Sequence, residues 1–415
     1  MADSSPLLLD ATPAPSNPST RSRRSSGAFS SAKARRKYWV VMGILLALAL
    51  LFSFGLLAYG NPMPVGTPQF WLLAERRTEA LFAMVVVALC HSLATVAFQT
   101  VTNNRIITPS IMGFESLYVA IHTTTVFIGG TSGLLAARSL GAFSFQMVLM
   151  VALSLVLYSW LLTGKNSNMH AMLLIGVVIG GGLGSVSTFM QRILTPSEFD
   201  VLTARLFGSV NNADPEYYPV ALPLVVIAGV LLVMASRKLN VLALGRDASM
   251  NVGLNHKYFS IYMLVLVTVL IAVSTALVGP MSFLGFLVAT LAYQLADTHD
   301  HRYLFPMSFL LGIVVLTGAY FCMNHIFDAQ GAVSTALVGP MSFLGFLVAT
   351  LAYQLADTHD HRYLFPMSFL LGIVVLTGAY FCMNHIFDAQ GAVSIIIELV
   401  GGAVFLFVLL RKGRL

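Results

Sequence analysis

Apolar residues run along this chain in long blocks separated by short polar connectors, not in the alternation expected of half-buried strands. A membrane-spanning helix needs about 20 mostly apolar residues. Blocks at 38–59, 80–101, 109–129, 143–163, 170–193, 217–236, 258–279, 282–297, 304–325 and 395–411 come near that length. Two more, 342–357 and 364–385, copy 282–297 and 304–325 letter for letter. The pattern predicts an all-α polytopic membrane protein.

The copied blocks belong to a longer repeat. Residues 272–334 and 332–394 are identical at an offset of 60. Repeat architectures stack several units that differ in detail, whereas these two units differ nowhere. Lipid-facing positions accept swaps among apolar residues, so an old duplication would have drifted. Identity throughout points to a recent event, an engineered insertion or a sequence error. Ala-Val-Ser stands at 272–274, 332–334 and 392–394, so a chain lacking one copy would already carry it at both ends of the unit. Unequal recombination between those short matches would generate the second copy. The chain therefore reads as a 355-residue parent of ten spans (415 less the 60-residue unit), with tandem copies at 274–333 and 334–393 raising the count to twelve. Two extra crossings preserve parity. Segment 334–340 copies only the last turns of the seventh span, and is expected outside the membrane or as a re-entrant stub.

Composition agrees with the pattern. Hydrophobic residues make up 57%, charged residues 10%, and the mean hydropathy is +0.82, where soluble domains carry about 25% charge. The net charge of +6 is concentrated at one end. Residues 1–37 hold Arg21, Arg23, Arg24, Lys33, Arg35, Arg36 and Lys37 against Asp3 and Asp10, which is +5 and leaves +1 for the rest. No nucleic-acid surface is implied beyond that tail. Rich in Ser, Pro, Ala and Arg, the tail is expected to be disordered. Its basic cluster precedes the first span and places it in the cytoplasm. A long polar tail without an obvious small-residue cleavage site favours an uncleaved first helix over a signal peptide. Arg105, Lys165, the group Arg237, Lys238, Arg246 and Lys257, then Arg302 and the terminal Arg411, Lys412 and Arg414 all follow even-numbered spans. Both termini are thus expected inside, with Arg76 and Arg77 as outside exceptions. Cys90, Cys322 and Cys382 lie in apolar runs and form neither a disulfide framework nor a metal-ligand spacing.

The most informative polar stretch is 236–260, SRKLNVLALGRDASMNVGLNHKYFS. Gly245 and Gly253 divide it, and a short helix, a glycine turn and a second helix would make a cytoplasmic platform over 237–257. The bland alternative is an ordinary basic connector. LALGRDASMNVGLN resembles the coupling loop of permease subunits in ABC importers for iron–siderophores, haem and cobalamin. Other segments are similar to that family in the same order: RRTEALFAMVVVALCHSLATVAFQTVTNNRIITPSIMGFESLY from Arg76, ARLFGSVNNADPEYY from Ala204, STALVGPMSFLGFLVATLAYQL, THDHRYLFPMSFLLG and IIIELVGGAVFLFVLLRKG. The resemblance runs from about residue 38 to the end, apart from one repeat copy.

It implies a ten-helix ABC importer permease fold of two inverted halves, spans two to five and seven to ten, around a central pathway. It implies a cytoplasmic ATPase dimer, a second permease subunit (a different chain or another copy of this one), an extracytoplasmic substrate-binding lipoprotein and an iron chelate as substrate. It implies the bacterial cytoplasmic membrane as location and Leu244, Gly245, Arg246, Asp247 and Gly253 as the ATPase-coupling residues. The Asn-Asn connector and Gly113-Phe114-Glu115 resemble members that pair with a different permease. ATP would be used by the partner, since Gly164-Lys165-Asn166-Ser167 lacks the frame of a phosphate-binding loop. No cofactor or metal is expected on this chain, and no catalytic residue.

Charges in a bilayer cost about 2.5–3.5 kcal/mol on insertion scales, so they face cavities or partners. That makes Glu115 and Glu398 candidates for the pathway or a subunit interface, with Gly401 beside the latter. Gly176, Gly180, Gly181, Gly182 and Gly184 crowd span five, as close helix packing requires. The sharper alternative is a broken helix flanking the pathway. His91 and His122 read as satisfied packing histidines. His299-Asp300-His301 reads as a short solvated loop and not a metal site, because no third ligand has clear spacing. A secondary transporter also uses inverted repeats, but two isolated acids make a weak coupling-ion site. A membrane enzyme would need a paired acid and base or a metal cluster, which no span carries.

Overall fold

The computed structural model describes residues 27–29, 31–58, 67–105, 107–136, 139–163, 169–206, 208–210, 213–325, 367–368 and 370–375. Among them the regular elements are helices. In chain order they are α1 (Ala32–Ala58), α2 (Pro68–Val101), α3 (Phe114–Ala136), α4 (Leu140–Thr163), α5 (Met169–Gln191), α6 (Pro196–Leu206), α7 (Tyr218–Met234), α8 (Ser236–Leu242), α9 (Arg246–Asn251), α10 (His256–Val278), α11 (Ser282–Ala296) and α12 (His301–His325). Nine of the ten spans expected in the parent have a helix here. Span 395–411, the copied spans but for a few residues, and the stub 334–340 lie outside the described residues, as do Glu398 and Gly401.

α2 and α10 form the centre. Both are buried over most of their length and they pack against each other, with α12 on α2, α4 and α7 on α10, and α3 on α5. α1 lies outermost against α12. It exposes Ile44, Leu50 and Phe54, as α7 exposes Val226, Val230 and Met234. Apolar faces of this extent are incompatible with water as solvent and suit lipid. Five described helices are long and apolar enough to cross a membrane, and shorter apolar helices surround them.

Local chemistry fixes the ends. Thr67 caps α2, its hydroxyl accepting from the Phe70 N–H at 3.3 Å, with Pro68 in the first turn. Asn255 caps α10 through the Tyr258 N–H. α2 begins well before the expected residue 80, because QFWLLAERRTEA continues the helix beyond its apolar part. There Arg77 donates to the Leu56 and Leu57 carbonyls at the end of α1 at 3.2 and 3.3 Å. A cation on a helix C-terminus is favourable.

Two expectations need correction. The tail does not stay free up to residue 37. Phe29 is buried against Tyr38 and Tyr303, Ser31 caps the Ala34 N–H, and α1 begins at Ala32. Span three does not start as a helix at 109. A 3-10 turn, Pro109–Met112, ends at Gly113 with φ 91°, and α3 follows. The stretch between α5 and α7 also holds α6, whose capping box the sequence spells as Thr195-Pro196-Ser197-Glu198. The Glu198 carboxylate accepts from the Thr195 N–H at 3.0 Å and hydroxyl at 2.7 Å, and these bonds hold its pKa below the usual value.

Candidate functional site

Two halves meet inside the bundle. Each central helix is followed by a glycine with positive φ, Gly113 at 91° after α2 and Gly279 at 89° after α10, and then by a helix. The first turns of those helices touch. The Glu115 carboxylate of α3 accepts a hydrogen bond from the Ser282 hydroxyl of α11, and Ser110 bonds it as well. Its other oxygen is enclosed without a hydrogen-bond partner among the described residues. Two helix N-termini converge on this acid, and their dipoles favour negative charge. Glu115 therefore bridges the halves.

Of the glycines of α5, Gly176 and Gly180 serve packing, while an added Cβ at Gly181, Gly182 or Gly184 would have no neighbour within 4 Å. Gly180 lies against the Gly113 turn, where an added Cβ would come within 3.0 Å of the Gly113 Cα. α5 is continuous from Met169 to Gln191, which excludes the broken-helix alternative within those residues. Gly181 and Gly182 point to open space and Gly176 to the Gly113 turn.

On α2, His91 and Thr95 are buried, and His91 has neither ring nitrogen bonded among the described residues. It is not the satisfied histidine expected. Gly285 of α11 faces both, since a Cβ there would fall on the Thr95 hydroxyl and 3.5 Å from His91 Nδ1. His122 packs on Tyr118, the rings tilted by 57° with centroids 4.4 Å apart.

At one end of the bundle, α8, a turn and α9 form a hairpin. Leu239 and Leu242 anchor it in the core. Gly245 has φ 92° and Gly253 has φ 87°, a region side chains rarely enter. The Ser249 N–H donates to the Gly245 carbonyl at 3.0 Å, the Ser249 hydroxyl to the Arg246 carbonyl at 2.9 Å, and the Leu254 N–H to the Ser249 carbonyl at 3.0 Å. Asp247 sits in the first turn of α9, where the dipole favours an acid. Leu244, Met250 and Val252 are held outward, at 65%, 48% and 68% exposure. Three apolar side chains raised on a hairpin beside charged Arg246 and Asp247 are suited to contact another protein.

The turn between α11 and α12 lies next to this hairpin, and it is not the solvated loop the sequence suggested. Asp300 is 9% exposed and His301 2%. Asp300 binds the Arg302 guanidinium and accepts from the Asn240 amide at 2.9 Å. Burial raises its pKa, but the bonds from Arg302 and Asn240 outweigh burial and hold it down to about 2. No group of three His, Cys, Asp or Glu capable of holding a metal occurs among the described residues. The sequence pointed to 240–255 without distinguishing Asn240. Its importance comes from contacts with residues about sixty positions away.

Among known proteins, the FecCD transport family model matches residues 42–331 and again 329–411. The petrobactin import permease FatC of Bacillus anthracis is 55% identical over 323 residues, 77% of this chain and 91% of that protein. The chain belongs to the FecCD transport family. The petrobactin import permease YclO of Bacillus subtilis is 34% identical over 292 residues, 70% of this chain and 93% of YclO. A solved structure described as an inward-facing metal-chelate type ABC transporter superposes with a TM-score of 0.60 at 21% identity, covering 76% of this chain and 99% of that one. At that identity the likeness concerns the fold alone. It agrees with an ABC importer permease fold in the described residues. FecCD members are transporter subunits and not enzymes.

Proposed function

We propose that this chain is the permease subunit of an ATP-driven importer carrying a ferric siderophore of the petrobactin kind across the bacterial cytoplasmic membrane. The 55% identity spread over 91% of a petrobactin import permease carries this reading. The α8–α9 hairpin, with Leu244, Gly245, Arg246, Asp247 and Gly253, docks a cytoplasmic ATPase that hydrolyses the ATP. Both termini lie on that side. A second permease completes the pathway, with the exposed face of α5 and Glu398 and Gly401 of the last span as candidate partner contacts. A substrate-binding lipoprotein delivers the chelate from outside.

The parent of this chain has ten spans and the repeat adds two. The relative with 323 aligned residues at 91% coverage is about 355 residues long, the length expected of the parent. The family model breaks at 329–331, near the junction of the two copies. The first copy of the helix pair, α11 and α12, packs on α2.

Deleting 240–255 tests the docking role. Uptake of ferric petrobactin by cells carrying the deletion falls to background while the protein still inserts. Uptake at the undeleted level would overturn the assignment.

A further inference from the structure

One hydrogen-bonded chain crosses three elements at the α8–α9 end. Asn240 of α8 donates from Nδ2 to the Asp300 carboxylate at 2.9 Å, and its Oδ1 accepts from the His301 N–H at 2.9 Å. The amide orientation is fixed, because a backbone N–H only donates and a carboxylate only accepts. His301 Nδ1 stands 2.6 Å from the same Oδ1 and must be the donor there. Nε2 of the same ring stands 2.7 Å from the Thr100 hydroxyl of α2, whose single proton is shared between this nitrogen and the Val96 carbonyl at 2.9 Å. The α11–α12 turn is itself held: the Thr298 hydroxyl donates to the Ala28 carbonyl at 2.5 Å and Phe29 packs on Tyr303. The hairpin thus has a polar attachment to the central helix α2 and to the start of α12, separate from its apolar anchors Leu239 and Leu242.

We infer that Asn240 is a positioning residue that makes the hairpin move as one body with α2 and α12. The inference rests on the hairpin being the ATPase dock. Apolar contacts between α8 and the core resist separation but permit sliding, since dispersion is non-directional. The directional bonds of Asn240 to Asp300 and His301 resist sliding. Displacement of the hairpin by a closing ATPase then reaches α2, which carries the contact with α11, and α12, which packs on α2. Without Asn240 the hairpin is still present and still docks, but part of its displacement is lost as slip.

The test uses the whole importer, with ATPase, second permease and binding protein, reconstituted in proteoliposomes with ferric petrobactin. Asn240→Leu keeps the size and removes both bonds. The expected result is normal ATPase co-purification, hydrolysis near the wild-type rate, and uptake per ATP lowered roughly five- to ten-fold, within the range for residues that carry coupling. Thr100→Val, which removes the distal bond to His301 together with the hydroxyl's bond to the Val96 carbonyl within α2, lowers the ratio less. An unchanged ratio in an intact Asn240→Leu complex overturns the inference. If that variant does not assemble, Thr100→Val decides, and an unchanged ratio there overturns it equally. Retention of the ATPase by a protein lacking 240–255 would instead remove the docking role, leaving the two failures distinguishable.

Discussion

Gly285 has no room for a side chain. Alanine there would press on Thr95, whose Cβ lies 3.3 Å from the added carbon, at the contact of α2 with α11. Overpacking of this kind costs about 1–3 kcal/mol. Gly285→Ala therefore lowers the melting temperature in detergent, and Thr95→Ala added to it recovers part of the loss. Independent, additive effects would show that the two positions do not share this contact. Asp300 gives a pH prediction. Its folded pKa of about 2 lies below the ordinary 3.8, so its contribution is complete above about pH 4 and fades as pH falls through 2. The stability gap between the wild type and Asp300→Asn, measured by thermal unfolding, closes across that interval and stays constant above it. A gap closing near neutrality would assign the effect to another group.

At the scale of elements, the hairpin depends on two backbone conformations. Gly245 and Gly253 have open space around them, so replacing either by alanine costs backbone strain alone, about 1–3 kcal/mol, with Gly245 at φ 92° and ψ 175° in a region essentially restricted to glycine. The double replacement Gly245→Ala, Gly253→Ala leaves the bundle folded and weakens co-purification of the ATPase. Undiminished capture would mean that the turns need not hold their shape for docking. The hairpin was legible in the sequence because two glycines in a polar stretch between spans mark breaks in short helices. α6 is also legible through Thr195 and Glu198, which spell a capping box. The 3-10 turn before α3 was not, since Ile111 and Met112 continue the apolar run and hide the break at Gly113.

For the molecule as a whole, the prediction concerns the repeat. Removing residues 334–393 restores the 355-residue parent, and uptake by that shorter protein exceeds uptake by the full chain at equal membrane abundance. Equal uptake would mean that the additional helix pair is accommodated without harm. The core of the bundle is built by α2 and α10, whose glycine-ended turns bring α3 and α11 together at Glu115 and Ser282. The sequence marked Glu115 by the cost of a charge among apolar residues, but not its partner, which comes from the other half of the chain.

The apolar blocks alone determined that this is a helical membrane protein, because a backbone in lipid must satisfy its hydrogen bonds within each segment. The order of its motifs determined the family. Helix lengths, glycine turns and the hairpin also follow from neighbours along the chain. Only the tertiary structure decided that Asn240, His301 and Thr100 form one bonded chain, that Asp300 is buried, and that Gly285 faces Thr95. Those contacts join residues up to about two hundred positions apart, and periodicity carries no information on which faces of distant helices meet.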